Sequence, residues 1–340
     1  MFSILEITSA DFDDDRWRDF HQLMVCLKDE YGSSYKLPDW EELKKTVLSF
    51  MAKEMNYRQV LVYEGEKLVG WAEMKAFNVN TPEKLLSVRF DAFYETVPEA
   101  LSKTLAGLFY EELRRYDIPH VFFVSQDNRL IRTALGWGGE KMHRNDEYVL
   151  YRHRADTALM KSWLETIPLR NPGLKLRFFP ETPEAYLEPF ARVLSQLLND
   201  MPHEREDKTT FRISVDELIR QTIWRRENGI PSYKYLVFNE RDEIIGLTMA
   251  ELRSSHPQEA SQAMTGIVGS CRGRGLAKWL KAAMFFRLGE DFPDNRKIIT
   301  MMRAVNEPIQ HINAQMGYML EREGMEMKIT GENLARFLNS

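Results

Sequence analysis

The sequence predicts an α+β protein made of two copies of one domain, each a mixed, largely antiparallel sheet flanked by helices. Three observations carry this expectation. A length of 340 residues leaves room for two hydrophobic cores. Apolar runs come in pairs around charged turns, and helical patterns separate the pairs. The second half then repeats the order of the first.

Each half opens alike, ILEITSADFDDDRWRDFHQLM in one and LRFFPETPEAYLEPFARVLSQL in the other, and both read as strand, turn and amphipathic helix. A hairpin follows. YRQVLVYEGEKLVGWAEM (57–74) aligns without gaps on YKYLVFNERDEIIGLTMA (233–250) at an offset of 176, so that Tyr57 meets Tyr233, Glu64 meets Glu240 and Gly70 meets Gly246. Next, the long helical pattern ALSKTLAGLFYEELRR (100–115) parallels GLAKWLKAAMFFRLGE (275–290). Last, RLIRTALGW (129–137) parallels PIQHINAQMGY (308–318), each ending on a glycine and an aromatic residue. One such match is within reach of chance, whereas four in one order at nearly constant offset argue for a duplicated domain. The expected boundaries are a first domain at 1–155, a linker at 156–173 and a second domain at 174–340. Within the linker, IPLRNPG is rich in turn formers and ALMKSWLET reads as a short bridging helix.

Composition narrows the function classes. A net charge of −5 weighs against nucleic acid and anionic membranes as partners, while leaving room for a local site for a small anion. The two cysteines, Cys26 and Cys271, fall one in each half and make no disulfide framework. The seven histidines form no H-x-x-x-H or H-E-x-x-H pattern, so no metal is expected. No apolar run approaches the roughly 20 residues that span a bilayer, and MFSILEITSADFDDD lacks the features of a secretory leader. The expected location is the cytoplasm, and the sequence leaves the oligomeric state open.

The chemistry concentrates in CRGRGLAKWLKAAM (271–284). QAMTGIV (262–268) before it reads as a strand, and Leu276, Leu280, Met284 and Leu288 after it form one helical stripe. A strand, a Gly-rich turn and a helix start bring several backbone N–H groups together where the macrodipole favours an anion. Arg272 and Arg274 can add charge-assisted hydrogen bonds to phosphate oxygens. Taken alone, an ordinary glycine turn with solvated cations explains the stretch equally well.

Thr265 to Ala277, TGIVGSCRGRGLA, resembles the acyl-CoA signature of the GNAT superfamily of N-acyltransferases, [QR]-x-x-G-x-[GA], met by Arg272, Gly275 and Ala277. The superfamily's second landmark, an asparagine some thirty residues on and a short helix ending in Gly-aromatic, resembles NEPIQHINAQMGY with Asn306, Gly317 and Tyr318. The resemblance covers the second half well and the first half only as a fold. It implies an acyl-CoA, most simply acetyl-CoA, with its pyrophosphate on the amides of Gly273, Arg274, Gly275, Leu276, Ala277 and Lys278. The main chain at Ile267 and Val268 would pair with the pantetheine arm, Asn306 would contact that arm or order the strands beside it, and an N–H near Val268 would polarise the thioester carbonyl.

At the matching place the first half reads SVRFDAFYETVPEALSKTLAG (87–107), with no glycine before the helix and with Asp91, Glu95 and Glu99 in place of cations. The first half is therefore expected to be a degenerate copy without an acyl-CoA site.

Acid–base residues are less clear. Many superfamily members carry a tyrosine acid in the short helix, and the matching position here is Asn313, whose amide cannot protonate a thiolate. Glu251, at the end of the second hairpin strand, is the best carboxylate for a base and reads equally well as a solvated strand-end residue. His203 and Glu204 lie where the superfamily binds the acceptor amine, although an acidic surface loop is the plainer reading. Cys271 beside Arg272 suggests an acyl-cysteine route, but a lone cysteine with no evident histidine partner is weak support. Three function classes follow: an acyl-CoA-dependent N-acyltransferase acting on a small amine, a non-catalytic acyl-CoA sensor, and an aminoacyl-tRNA-dependent transferase. The acidic balance disfavours the third.

Overall fold

The structure is a computed structural model, and it describes residues 2–8, 12–30, 37, 39–53, 56–77, 79, 84–202, 212–227, 229–252 and 257–340. The first half runs β1 (Phe2–Glu6), α1 (Asp14–Glu30), α2 (Trp40–Lys53), β2 (Tyr57–Glu64), β3 (Lys67–Phe77), β4 (Leu85–Ala92), α3 (Glu99–Tyr116), β5 (His120–Ser125), α4 (Asn128–Gly136) and β6 (Glu140–Tyr151). After α5 (Thr157–Arg170) the order recurs. It gives β7 (Lys175–Phe179), α6 (Glu184–Asn199), α7 (Val215–Glu227), β8 (Ser232–Phe238), β9 (Ile244–Leu252), β10 (Glu259–Ile267), α8 (Leu276–Asp291), β11 (Lys297–Arg303), α9 (Glu307–Met316) and β12 (Met319–Arg322). Two elements follow, β13 (Met325–Thr330) and α10 (Gly331–Leu338). The α+β class and the element order read from the sequence both hold.

Strand alternation explains the two-sided packing of each sheet. In β2, Val60 and Val62 join one core with Leu101, Leu105 and Phe109 of α3. Leu61 and Tyr63, between them, face Trp17 and Phe20 of α1. In β8, Leu236 and Phe238 pack with Phe190 and Leu194 of α6. Val237 packs with Leu280 and Met284 of α8 instead. Local signals set the helix starts: Asp127 caps α4 through Arg129 N–H at 2.7 Å, and Asp156 caps α5 through Leu159 N–H at 2.9 Å.

The chain resolves into two compact units, Met1–Asn145 with Glu323–Ser340, and Asp146–Arg322. The two halves of the sequence therefore exchange a strand. In the first unit β13 lies between β5 and β6, pairing antiparallel with both. In the second unit the later half of β6 lies between β11 and β12. The stretch expected as a linker is mostly α5, whose Met160, Trp163 and Ile167 are buried in the second unit's core.

One consequence is measurable. Ile329 of β13 is fully buried in the first unit's core, most of which comes from the far earlier stretch between Val60 and Trp137. Ile329→Ala should cost about 2–5 kcal/mol of stability, read as a lower urea midpoint.

Candidate functional site

The site forms where two parallel strands part. β10 pairs with β11 only from Glu259 to Ser261, opposite Lys297 to Ile299, while its other edge stays paired with β9 as far as Ile267. A bulge between Gln262 and Met264 falls at the point of separation. Such a bulge bends the strand and re-aims its backbone groups. Past it, Val268 N–H donates to Ile245 O at 3.0 Å. By the alternation of an antiparallel ladder, the amides of Thr265 and Ile267 then face away from β9, toward the gap. Val268 N–H is thus engaged with β9, and of the amides near it that of Ile267 faces the gap.

The chain leaves β10 through one 3-10 turn, Gly269–Cys271, and enters α8 through Gly273 and Gly275, with φ of +78° and +81°. Side-chain-bearing residues rarely adopt that conformation, which explains both glycines. A Cβ built on Gly273 would meet nothing within 4 Å, so the turn is open to a ligand. Lys278 and Trp279 N–H donate to Gly275 O at 3.0 and 3.2 Å, and Arg272 N–H donates to Gly269 O. Among the described residues, the amides from Gly273 to Ala277 have no backbone acceptor outside the helix ladder. They are the donors an anion at a helix start would use.

The three cations of the loop are held by partners. Arg272 donates from Nε to Ile267 O at 3.0 Å and from its terminal nitrogen to Asp200 Oδ2 at 2.9 Å, fastening the end of β10 to the residue after α6. Arg274 Nε donates to Asn171 Oδ1 at 2.8 Å. Lys278 Nζ lies 5.2 Å from the centre of the Trp163 ring. Leu276 and Ile267 face the core, with Val268 and Ala277 packed against it. Asn306 is the N-terminal boundary of α9; its N–H donates to Arg303 O and its carbonyl accepts from Gln310 N–H.

Of the acid–base candidates, Glu251 is engaged and Asn313 is buried. Glu251 Oε1 lies 2.6 Å from a terminal nitrogen of Arg225 on α7. Asn313 is buried at 1% exposure, with its amide nitrogen 3.7 Å from Met302 Sδ, and its Oδ1 has no hydrogen-bond partner among the described residues. His203 and Glu204 lie outside the described residues. His311 is exposed, and Cys271 is half-buried against the core.

Between α8 and β10 the structure places a polar cluster that the sequence did not single out. Lys281 is fully buried, and its ammonium donates to Gln262 Oε1, which also accepts from Tyr318 Oη at 3.0 Å. Gln262 Nε2 donates to Thr248 Oγ1 at 3.0 Å, and Thr248 and Thr265 share a hydrogen bond of 2.7 Å. Thr300 Oγ1 donates to Gln262 O at 3.0 Å, linking β11 to β10 just where their ladder stops. Burial pushes the Lys281 ammonium down to about 7 and pushes the Tyr318 phenol up. A second buried lysine, Lys234, lies on the α7 side of β8; burial and the Arg225 charge bring it down to about 8, with Glu251 opposing. The available signal was periodicity: α8 is apolar nearly all round, so a lysine within it is buried.

At the matching place in the first unit, β4 pairs with β5 only from Leu86 to Val88, and no bulge interrupts β4 against β3. By register against the matching glycines Gly70 and Gly246, Ala92 stands where Ile267 stands in the second unit, and its N–H donates to the buried Asp91 Oδ1 at 2.7 Å. Arg129 on α4 approaches Asp91 at 4.0 Å, binds Asp127 at 2.5 Å and donates to Tyr94 O at 3.0 Å. An internal ion-pair network thus occupies the region that stays open in the second unit.

No protein-family model and no curated protein matches the sequence. Solved structures match along nearly the whole chain. A tandem GNAT protein from the clavulanic acid biosynthesis pathway, determined without AcCoA, superposes with a TM-score of 0.71 at 16% identity over 97% of this chain and 99% of its own. The chain has the tandem GNAT fold. A GCN5-related N-acetyltransferase from Sphaerobacter thermophilus aligns with a TM-score of 0.66 at 14% identity, covering 97% and 96% of the two chains. A GNAT-family acetyltransferase from Colwellia psychrerythraea aligns at 0.52 with 11% identity, covering 96% of this chain and all of its own. Among the described residues, no group of three or more metal-binding side chains occurs, and no helix is long and apolar enough to cross a membrane.

Two outcomes test the electrostatics of the site. A lysine held near 7 in the folded state and near its ordinary value when unfolded destabilises the fold fully below pH 7, and this cost disappears as the pH rises toward 10. Lys281→Met removes the cost, so its stability relative to wild type should improve by up to about 1.4 kcal/mol per pH unit as the pH falls through that window, measured by denaturation at several pH values. Asn313→Leu removes a buried unpartnered oxygen. It should leave the melting temperature unchanged or raise it by the equivalent of about 1 kcal/mol.

Proposed function

We propose that the protein is an acyl-CoA-dependent N-acyltransferase that passes an acetyl group from acetyl-CoA to a primary amine of a small molecule or peptide. One observation carries this reading: a set of amides without backbone acceptors, Gly273 to Ala277, begins a helix directly after a strand that has parted from its neighbour. The amides and the macrodipole suit the pyrophosphate, with Arg274 and Lys278 adding positive charge. The edge of β10 from Thr265 to Ile267 suits an extended pantetheine arm as an added strand. Ile267 N–H, facing the gap, would stabilise the oxygen that becomes negative as the amine attacks the thioester carbon. The amine loses a proton and the departing thiolate gains one, with solvent as the simplest carrier for both. The first unit serves as a degenerate copy, its gap filled by the network of Asp91, Asp127 and Arg129. Nucleic acid and membranes have no role in this reading, and the cytoplasm is the proposed location.

A second reading, an acyl-CoA sensor without turnover, is favoured by the engagement of Glu251 with Arg225 and the burial of Asn313. Release of free CoA thiol in the presence of a panel of amines separates the two.

Acetyl-CoA at about 100 times its dissociation constant should add about 2.7 kcal/mol of stability, seen as a thermal shift, with one molecule bound per chain by calorimetry. Arg274→Glu should abolish the shift, and by removing the donor to the buried Asn171 Oδ1 it should lower the ligand-free melting temperature by the equivalent of about 1–3 kcal/mol at most. Absence of any shift with acetyl-CoA or longer acyl-CoAs overturns the reading, and two molecules per chain overturns the degeneracy of the first unit.

A further inference from the structure

Helix α5 lies along the loop at the start of α8 and touches it three times with a single stripe. Trp163, Ile167 and Asn171 follow at i, i+4 and i+8, so they share one face of the helix and its end. Trp163 lies under the Lys278 ammonium at 5.2 Å. Ile167 Cδ1 is 3.4 Å from where a Cβ on Gly275 would stand. Asn171, buried at 3% exposure, accepts from Arg274 Nε at 2.8 Å and donates to Arg274 O at 3.3 Å and to Ile167 O at 2.9 Å. Its side chain therefore grips both the guanidinium and the main chain of one loop residue while anchored to α5.

The grip determines which part of Arg274 is offered to a ligand. With Nε engaged by Asn171, the two terminal nitrogens of this exposed residue remain as donors beside the open turn at Gly273. A guanidinium fixed along one edge presents its other donors as a preset fork, the arrangement that suits a phosphate group. Ordering that long side chain before binding removes an entropy cost that binding would otherwise carry.

We propose that Asn171 is a positioning residue for acyl-CoA binding: it holds Arg274, and through it the turn at Gly273 to Gly275, in the phosphate-accepting arrangement. The inference rests on the acyl-CoA reading above and adds to it an element outside the loop signature. Asn171 touches no ligand atom itself; its effect passes through Arg274.

The test is a double-mutant cycle on the full chain, titrated calorimetrically with acetyl-CoA. Asn171→Ala and Arg274→Gln should each weaken binding by about tenfold. The double variant should bind only slightly more weakly than Arg274→Gln alone, because Asn171 then keeps only its bond to the main-chain oxygen of residue 274. Arg274→Lys keeps the charge, loses the fork and alters an exposed residue, and it should lose as much as Asn171→Ala. It keeps the proposal testable if Asn171→Ala folds poorly. Wild-type affinity in Asn171→Ala or in Arg274→Lys overturns the proposal, as does full additivity of the two losses. If the wild-type chain itself binds no acyl-CoA, the underlying reading fails and this inference falls with it.

Discussion

The early parting of β10 from β11 is the constraint on which the second unit depends. A parallel ladder that stops after three residue pairs leaves backbone donors and acceptors on both strands without strand partners, and buried groups of that kind must be satisfied some other way. The structure answers group by group. Thr300 takes the first free carbonyl, that of Gln262, and Arg272 takes that of Ile267. What stays open is the stretch of edge between them and the turn that follows. The first unit faces the same parting and closes it from within, with Arg129 reaching the carbonyl of Tyr94 and the carboxylates of Asp91 and Asp127. One geometric problem thus has an open solution and a filled one, and the difference lies in a bulge, two glycines and a few charges.

The two sides of the second unit's sheet differ in finish. Around the loop at 271–278 every cation has a fixed partner, and the backbone is set by two positive-φ glycines. Such a surface needs little rearrangement to receive an anion. On the α7 side of the sheet, Glu251, Arg225 and Lys234 instead form a charged group, in which Glu251 offsets part of the cost that burial and the Arg225 charge place on the lysine. Between the two sides lies the cluster of Lys281, Gln262 and Tyr318. It places a weakly basic amine in the core, supported by hydrogen bonds and an aromatic face rather than by a countercharge.

The parts of this molecule legible in its sequence are those set by local pattern. Hairpins, helix starts, the repeat and the glycine turn all follow from spacing within a few residues, and they recur in the structure. The exchange of β13 was not legible, because a strand's partner is a choice among distant segments and MEMKIT suits either sheet equally well. The stretch 156–173 read as a linker because its turn formers dominate its end, while the burial of Trp163 and Ile167 is a tertiary fact. Asn313 was legible as a departure from a pattern, but its inward orientation was not. Lys281 was hidden by the ordinary expectation that lysines on helices are solvated.

The exchanged strand also sets an order of events in biosynthesis. The second unit is one continuous stretch, Asp146–Arg322, and can complete its sheet as soon as that stretch has emerged. The first unit emerges earlier yet must wait, its β5 edge unpaired, until Met325–Thr330 arrives. An exposed strand edge held open through the synthesis of a whole second unit is an invitation to mispairing with other chains. The half of the protein made first is the half finished last, and during that interval it needs the most protection.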